Sequence, residues 1–399
     1  MAQLNEHKAV FTGTGISRVG RKTGIPGIEL TLEATRAAIA DAGLTIEDID
    51  GIASLGETPI RQVASELGLN PKWAHGAGAE GGLYSPVFSA VNAIAEGKAR
   101  HVLVYRTVMM MGGATMPDQL GGEVEEEVVE EGAFEILEDG TMGEGMGDVS
   151  QMLAYHAYGA PHWLGMHARR HMHLYGTTKE QLGWLAINCR RNAALNPNAP
   201  MQDPLTMEDY LSARQVAEPF NLLDCDIPVD GCVALVLSAE EYGKDAPKHP
   251  IRINAMAGSP GAPGAWWYRE DYPRQASWDA AQNLWAKTDL KPSDLDFGNL
   301  YSGFTFLTFA WLEALGICEE GGAGPFVEGA TRIALEGSFP LNTWGAQLSG
   351  GRLHGYGDLL ETITQLRGEA GERQVTKDLE VGVSANGGGP IGAAMILTR

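Results

Sequence analysis

Two tyrosines, an arginine and a histidine stand in two loops of this chain at spacings that suit acid–base chemistry. Tyr301 lies in Asp296-Phe297-Gly298-Asn299-Leu300-Tyr301-Ser302-Gly303-Phe304-Thr305-Phe306, where a strand gives way to a helix. Tyr356 lies in the glycine-rich loop Ser349-Gly350-Gly351-Arg352-Leu353-His354-Gly355-Tyr356-Gly357, together with Arg352 and His354. A phenol can act as a general acid, but near its ordinary pKa of about 10 it is a poor base at neutral pH. Nearby positive charge lowers that value, and Arg352 or His354 is expected to supply it. A third loop, Ala385-Asn386-Gly387-Gly388-Gly389-Pro390-Ile391-Gly392, carries three consecutive glycines. Such a run lets backbone approach a ligand and present N–H groups to an oxyanion, here from Asn386, Gly387 and Gly388. An isolated tyrosine is usually a packed aromatic, and a glycine run is often a plain turn. Four polar groups in two loops are harder to assign to packing.

The elements that must position these loops come in two related sets. A helix from Leu30 to Ala42 is followed by Leu44-Thr45-Ile46-Glu47-Asp48-Ile49-Asp50 and a strand from Gly51 to Leu55. A helix from about Trp278 to Ala286 is followed by Leu290-Lys291-Pro292-Ser293-Asp294-Leu295-Asp296 and the strand ending at Tyr301. Gly231-Cys232-Val233-Ala234-Leu235-Val236-Leu237 likewise resembles Gly392-Ala393-Ala394-Met395-Ile396-Leu397. Short runs that are apolar throughout suit strands buried on both faces. The pattern predicts two α/β halves, 1–245 and 250–399, and places Tyr301 at the strand end where open α/β sheets collect ligands. The first half is longer, with an insertion at about 108–216. That insertion opens with Pro117 to Asp148, which holds twelve acidic residues and no lysine or arginine. Its composition predicts a solvated loop, with a lid or partner contact as the alternative. Pro161 to Tyr175 and Thr178 to Ala194 read as helices, and Asn196-Pro197-Asn198-Ala199-Pro200 as a breaker. His167 and His171 share a helical face, but Ala168 stands where an HExxH metal motif has its glutamate, so structural histidines and no metal are expected.

A chain of 399 residues exceeds what one core usually supports. Its formal charge of −22 argues against nucleic acid and anionic membranes as partners, while a local basic pocket remains compatible with an anionic small molecule. No apolar run is long enough to span a bilayer, and the polar start of the chain lacks a secretory h-region. The four cysteines (Cys189, Cys225, Cys232, Cys318) form no CxxC spacing or disulfide framework, so a cytoplasmic location is expected.

With these loops in place, the chain resembles the thiolase superfamily over nearly its whole length, on the branch of sterol-carrier-type thiolases and thiolase-like lipid-transfer proteins. The segment from Glu80-Gly81-Gly82-Leu83-Tyr84-Ser85 through Ala93 to Ala99 resembles the nucleophile-bearing helix. Tyr175 to Leu182, its helix and the breaker resemble the link region. The resemblance implies an α/β thiolase fold in a five-layer αβαβα arrangement. The departures are informative. Where thiolases carry their nucleophilic cysteine, this chain has Ala79 or Glu80. Their glycine–histidine–proline step is matched by Gly355-Tyr356-Gly357, their second cysteine by Ala385, and their asparagine–glutamate or histidine–aspartate step by Tyr301-Ser302. Without both cysteines and the histidine there is no means to form an acyl-cysteine and activate a second acyl-CoA.

Tyrosines at these positions are similar to those of the thiolase-like steroid aldolases. That resemblance implies retro-aldol cleavage of a β-hydroxyacyl-CoA, with a steroid C17 side chain released as a 17-ketosteroid and propionyl-CoA. It implies no cofactor beyond the CoA of the substrate, a homodimeric core, and an OB-fold accessory chain or hydratase subunit. Tyr301 and Tyr356, aided by His354, would divide the acid and base roles; Arg352, Asn386, Gly387 and Gly388 would hold the substrate and enolate. A non-catalytic acyl-CoA or sterol carrier, and a condensing enzyme with another nucleophile, are the rival readings.

Overall fold

A computed structural model describes residues 4–55, 58–76, 81–111, 152, 155–157, 159–259 and 269–399. The acidic segment from Pro117 to Asp148 and the positions Ala79 and Glu80 lie outside the described residues. Among the described residues nine strands form one sheet: β1 (Ala9–Ile16), β2 (Gly51–Ser54), β3 (Trp73–His75), β4 (His101–Met109), β7 (Asp230–Ala239), β8 (Ile251–Ser259), β9 (Phe297–Leu300), β10 (Val381–Gly388) and β11 (Ile391–Thr398). A separate ribbon pairs β5 (Gln215–Ala217) with β6 (Phe220–Asn221).

The strand order is β3-β2-β4-β7-β1-β8-β11-β10-β9. Within it, β2-β4-β7-β1 and β9-β10-β11-β8 repeat the same neighbours in the same senses: one parallel pair, then two antiparallel pairs. The two sets meet where Val10 and Phe11 of β1 pair with Arg252 and Ile251 of β8.

Apolar runs that are buried on both faces need a helical layer on each side, and the side chains alternate accordingly. Val102 and Val104 of β4, with Val233, Leu235 and Leu237 of β7, point into a central layer. There they meet α3 (Ser85–Ala95) and α10 (Tyr356–Arg367). Leu103 and Tyr105, with Cys232, Ala234 and Val236, point the other way onto α1 (Gly27–Asp41) and α2 (Ile60–Leu67). In the second set, Ala393, Met395 and Leu397 of β11 face the central layer. Ala394 and Ile396 face an outer layer built on α7 (Ala276–Trp285), α8 (Thr305–Ala314) and the short α9 (Ala323–Val327). Helix, sheet, helix, sheet and helix therefore stack in five layers, as expected.

Close approach fixes one of these contacts. A β-carbon on Gly13 or Gly15 of β1 would stand 2.2 Å and 2.1 Å from the carbonyls of Ala38 and Ala34 in α1. Glycine is required there because the helix backbone lies directly on the strand. Between β4 and β7 lie α4 (Ala160–Tyr175), α5 (Lys179–Ala194) and α6 (Met207–Ser212), packed on the outer layer of the second set. Helix α5 begins at a capping box, the Thr178 hydroxyl accepting from the Gln181 N–H and the Gln181 side chain accepting from the Thr178 N–H. His167 and His171 are both buried in α4. The first packs on Tyr272, and the second bridges Glu313 and Thr177, so both serve packing.

Candidate active site

Tyr301 follows β9 directly, and the β9–β10 register, which pairs Leu300 with Ala385, carries it to the level of Asn386. Tyr356 is the first residue of α10, entered through Gly355 at φ +83°. A β-carbon on Gly355 would stand 2.8 Å from Asn386 Cβ, 3.5 Å from Tyr84 Cε1 and 3.6 Å from Tyr301 Cδ2. Residues from three other segments thus converge on one glycine, which needs both its left-handed backbone and its missing side chain. Tyr84, just before α3, fastens the cluster: its hydroxyl contacts the Gly355 carbonyl at 2.9 Å and Ser384 Oγ at 2.7 Å. The rings of Tyr84 and Tyr356 meet edge-on, 6.1 Å between centroids.

The charges are arranged differently from expectation. Arg106, buried in β4, donates to the Leu55 carbonyl and, at 2.5 Å, to His354 Nδ1. A guanidinium has only donors, so Nδ1 accepts, the ring proton resides on Nε2, and the imidazole is neutral. Burial and the two cations Arg106 and Arg352 hold its pKa well below the usual histidine value. His354 is therefore not the source of positive charge; it is a neutral group at φ +50° that can donate from Nε2. Arg352 keeps its charge but shares it, with Nε 3.2 Å from Asp226 Oδ2. Burial pushes Asp226 up to about 6, against the pull of Arg352. Asp226 Oδ2 and the Tyr301 ring both lie within 3.6 Å of the place a Gly303 β-carbon would occupy. Burial raises Tyr301 to about 12, Arg352 opposing and Asp226 reinforcing the shift. Burial also raises Tyr356, and there the opposing cation is Arg106.

Backbone donors from the glycine run are less available than the sequence suggests. Asn386, Gly387 and Gly388 belong to β10 and sit opposite Ala393, Gly392 and Ile391. The Gly389 N–H donates to Gln275 Oε1 at 2.7 Å. Asn386 brings its side chain instead. That amide is fully buried, and neither of its polar atoms has a hydrogen-bond partner among the described residues. The same holds for the Tyr356 hydroxyl and for both amide atoms of Gln347. Leaving a buried polar group unmatched costs about 1–3 kcal/mol. Several such groups, on segments that meet around Tyr301 and Gly355, mark the region as a candidate for binding a polar ligand.

Asp358, in the first turn of α10, is fully buried with Oδ1 accepting from Trp344 Nε1 at 2.8 Å. Its Oδ2 has no partner among the described residues. Burial, with Glu361 adding, raises this carboxyl to about 7 from an ordinary 3.8. The folded state thus holds the proton over a range in which the unfolded chain has lost it. Stability falls as pH rises from about 4 to about 7, by about 4 kcal/mol from this group. Asp358→Asn keeps an acceptor for Trp344 and removes the ionisation. In urea unfolding its advantage over wild type should grow from pH 5 to pH 8; an advantage independent of pH would refute the assignment.

Arg106, Asp226, Tyr84, Gln347 and Asp358 escaped the sequence reading. Only Arg106 carried a signal, as a lone charge within the apolar run of β4. No described cysteine offers thiolase chemistry. Burial holds Cys189, Cys225 and Cys232 at about 12 and Cys318 higher still, all as thiols.

A five-layer sheet-and-helix body with tyrosines at the thiolase loops defines a thiolase-fold protein without thiolase nucleophiles. The chain belongs to the thiolase superfamily, in its branch of thiolase-like aldolases. Residues 265–398 match the family model described as Thiolase C-terminal domain-like. A steroid side-chain-cleaving aldolase of Thermomonospora curvata is 31% identical over 374 residues, covering 90% of each chain. The 17-hydroxy-3-oxo-4-pregnene-20-carboxyl-CoA lyase of Mycobacterium tuberculosis is 31% identical over 401 residues, 95% of this chain and 98% of that one. Among solved structures, the Ltp2-ChsH2(DUF35) aldolase superposes with a TM-score of 0.85 at 30% identity, covering 100% of this chain and 99% of that one.

Proposed function

We propose that this carbon–carbon lyase cleaves a β-hydroxyacyl-CoA by a retro-aldol reaction, with a steroid C17 side chain as the acyl group and a 17-ketosteroid and propionyl-CoA as products. The observation that carries the reading is the convergence of Tyr301 and Tyr356 with Asn386 around Gly355, in a chain whose described cysteines are held as thiols. The reaction needs a base for the β-hydroxyl proton. As that proton leaves, the C–C bond breaks and its electron pair enters the thioester as an enolate. An acid then protonates the α-carbon, giving a ketone and a shortened acyl-CoA with no net redox change. The two tyrosines divide the base and acid roles. Asn386 Nδ2 and the neutral Nε2–H of His354 are suited to donate to the enolate oxygen. Arg352 polarises the Tyr301 side, and Gly387 and Gly388 shape the wall beside Asn386.

CoA enters as part of the substrate, and the mechanism calls on no other cofactor. A homodimeric core with an OB-fold chain of the DUF35 kind, or a hydratase subunit, is the proposed assembly. The name of the superposed aldolase, which joins two components, supports a partner of this kind. A cytoplasmic location is part of the proposal; among the described residues no helix is long and apolar enough to cross a membrane.

The test is mass spectrometry of products from a panel of β-hydroxyacyl-CoAs, with the chain alone and with its co-purifying partner. A ketone and a shortened acyl-CoA in equal amounts are expected. Intact substrate under every condition would identify a carrier. A radiolabelled acyl group trapped covalently on the protein would identify a condensing enzyme.

A further inference from the structure

Gln347 belongs to a single turn of π-helix, Ala346–Gly350, entered from Gly345 at φ +103° and left through Gly351 at φ +105°. Its backbone is pinned on both sides. The Gln347 N–H donates to Ser302 Oγ at 2.9 Å, and its carbonyl accepts from the Ile227 N–H at 2.9 Å. Ser302 is the residue after Tyr301, and Ile227 is the residue after Asp226, so the pinning delivers the Gln347 side chain to the Tyr301 phenol. The amide reaches the Tyr301 phenol as a side-chain hydrogen-bond partner that lowers its pKa, but the approach is too long or too oblique to satisfy either amide atom, and neither completes a hydrogen bond with a described residue. The residue is fully buried. A rigidly placed carboxamide with donor and acceptor both open, beside a catalytic phenol, matches a hydroxyl group, which also donates and accepts.

We propose that Gln347 is the specificity residue for the β-hydroxyl, its Nε2–H donating to that oxygen, on the Tyr301 side of the site. This rests on the aldolase reading above. Because Nε2–H only donates, it follows the oxygen through the reaction: hydroxyl, then alkoxide, then product ketone. The hydroxyl proton passes to Tyr301, the C–C electron pair passes into the thioester, and the α-carbon takes its proton from Tyr356. Gln347 itself exchanges no proton. On this arrangement Tyr301 is the base and Tyr356 the acid.

The experiment first identifies a β-hydroxyacyl-CoA that the wild-type protein cleaves; finding none would defeat the aldolase reading itself. Binding of that compound and of its analogue lacking the β-hydroxyl is then compared by calorimetry, in a Tyr356→Phe background whose turnover is slowed about 10²- to 10⁴-fold, with product checked after each titration. With Gln347 present, the hydroxyl should improve affinity at least tenfold. With Gln347→Met, close in volume and without polar donors, the ratio should fall to about one. In the otherwise wild-type protein, the same change should lower kcat/KM about 10- to 100-fold. Its melting temperature should hold or rise, because an unmatched buried amide has been removed. An unchanged affinity ratio in the Met variant overturns the proposal while leaving the aldolase reading intact. A Met variant that unfolds or melts well below wild type also overturns it, by assigning Gln347 to structure.

Discussion

Tyr356→Phe is expected to lower cleavage by about 10²- to 10⁴-fold, the range for loss of a positioned acid or base, without lowering stability. The two halves of that expectation come from the same atom. The Tyr356 hydroxyl is fully buried and has no hydrogen-bond partner among the described residues. The ring meanwhile packs against Tyr84 and within the central layer that includes Leu359 and Ile363. Phenylalanine keeps the packing and deletes only the unmatched oxygen. A tyrosine retained for stability would bond its hydroxyl, and its removal would then cost about 1 kcal/mol. Here the balance runs the other way, and the melting temperature should stay level or rise. Single-turnover cleavage and a thermal melt on the same preparation decide the matter. Activity within threefold of wild type would remove Tyr356 from the chemistry; a clear fall in melting temperature would indicate an unseen partner for the hydroxyl.

What could be read from the sequence was what neighbouring residues decide among themselves. The helices from Ala160 and Lys179 and the all-buried runs of β7 and β11 depend on local pattern, and each forms within a residue or two of expectation. Repetition along the chain announced a repeated strand order. The two tyrosines were found because glycines and a strand end flank them. Long-range electrostatics was not legible. His354 looked like a cation from its own loop, but Arg106, 248 positions away in sequence, donates to Nδ1 and makes it neutral. Arg352 looked like a free charge until the fold set Asp226 against it. The glycine run suggested backbone donors, whereas strand pairing and Gln275 take part of that backbone and the Asn386 amide is left open. Gln347 had no local signal, because its meaning lies in bonds to Ser302 and Ile227 that only the folded chain brings together.

Tyr301→Phe should reduce cleavage by a similar 10²- to 10⁴-fold and, in addition, abolish the pH dependence that identifies a base. Burial places the Tyr301 phenol at about 12. A base acts deprotonated, so between pH 7 and 9 the working fraction grows tenfold per pH unit. Wild-type kcat/KM should therefore climb through that range without reaching a plateau, and the residual activity of the Phe variant should not follow it. The neighbouring charges fix the sign of a second effect. Arg352 pulls the phenol down and Asp226 pushes it up, with Asp358 adding from further off. Asp226→Asn deletes the adjacent negative charge and leaves the arginine unopposed, so the Tyr301 pKa falls and activity at pH 8 should exceed wild type. Asp226 itself titrates at about 6. Below that pH the wild-type side chain is already neutral, and the two proteins should converge. A pH–rate series on wild type, Tyr301→Phe and Asp226→Asn tests the whole arrangement. If Asp226→Asn is slower than wild type above pH 7 while still folded, the carboxylate itself serves the chemistry. If wild type levels off below pH 8, a group other than a buried phenol is the base.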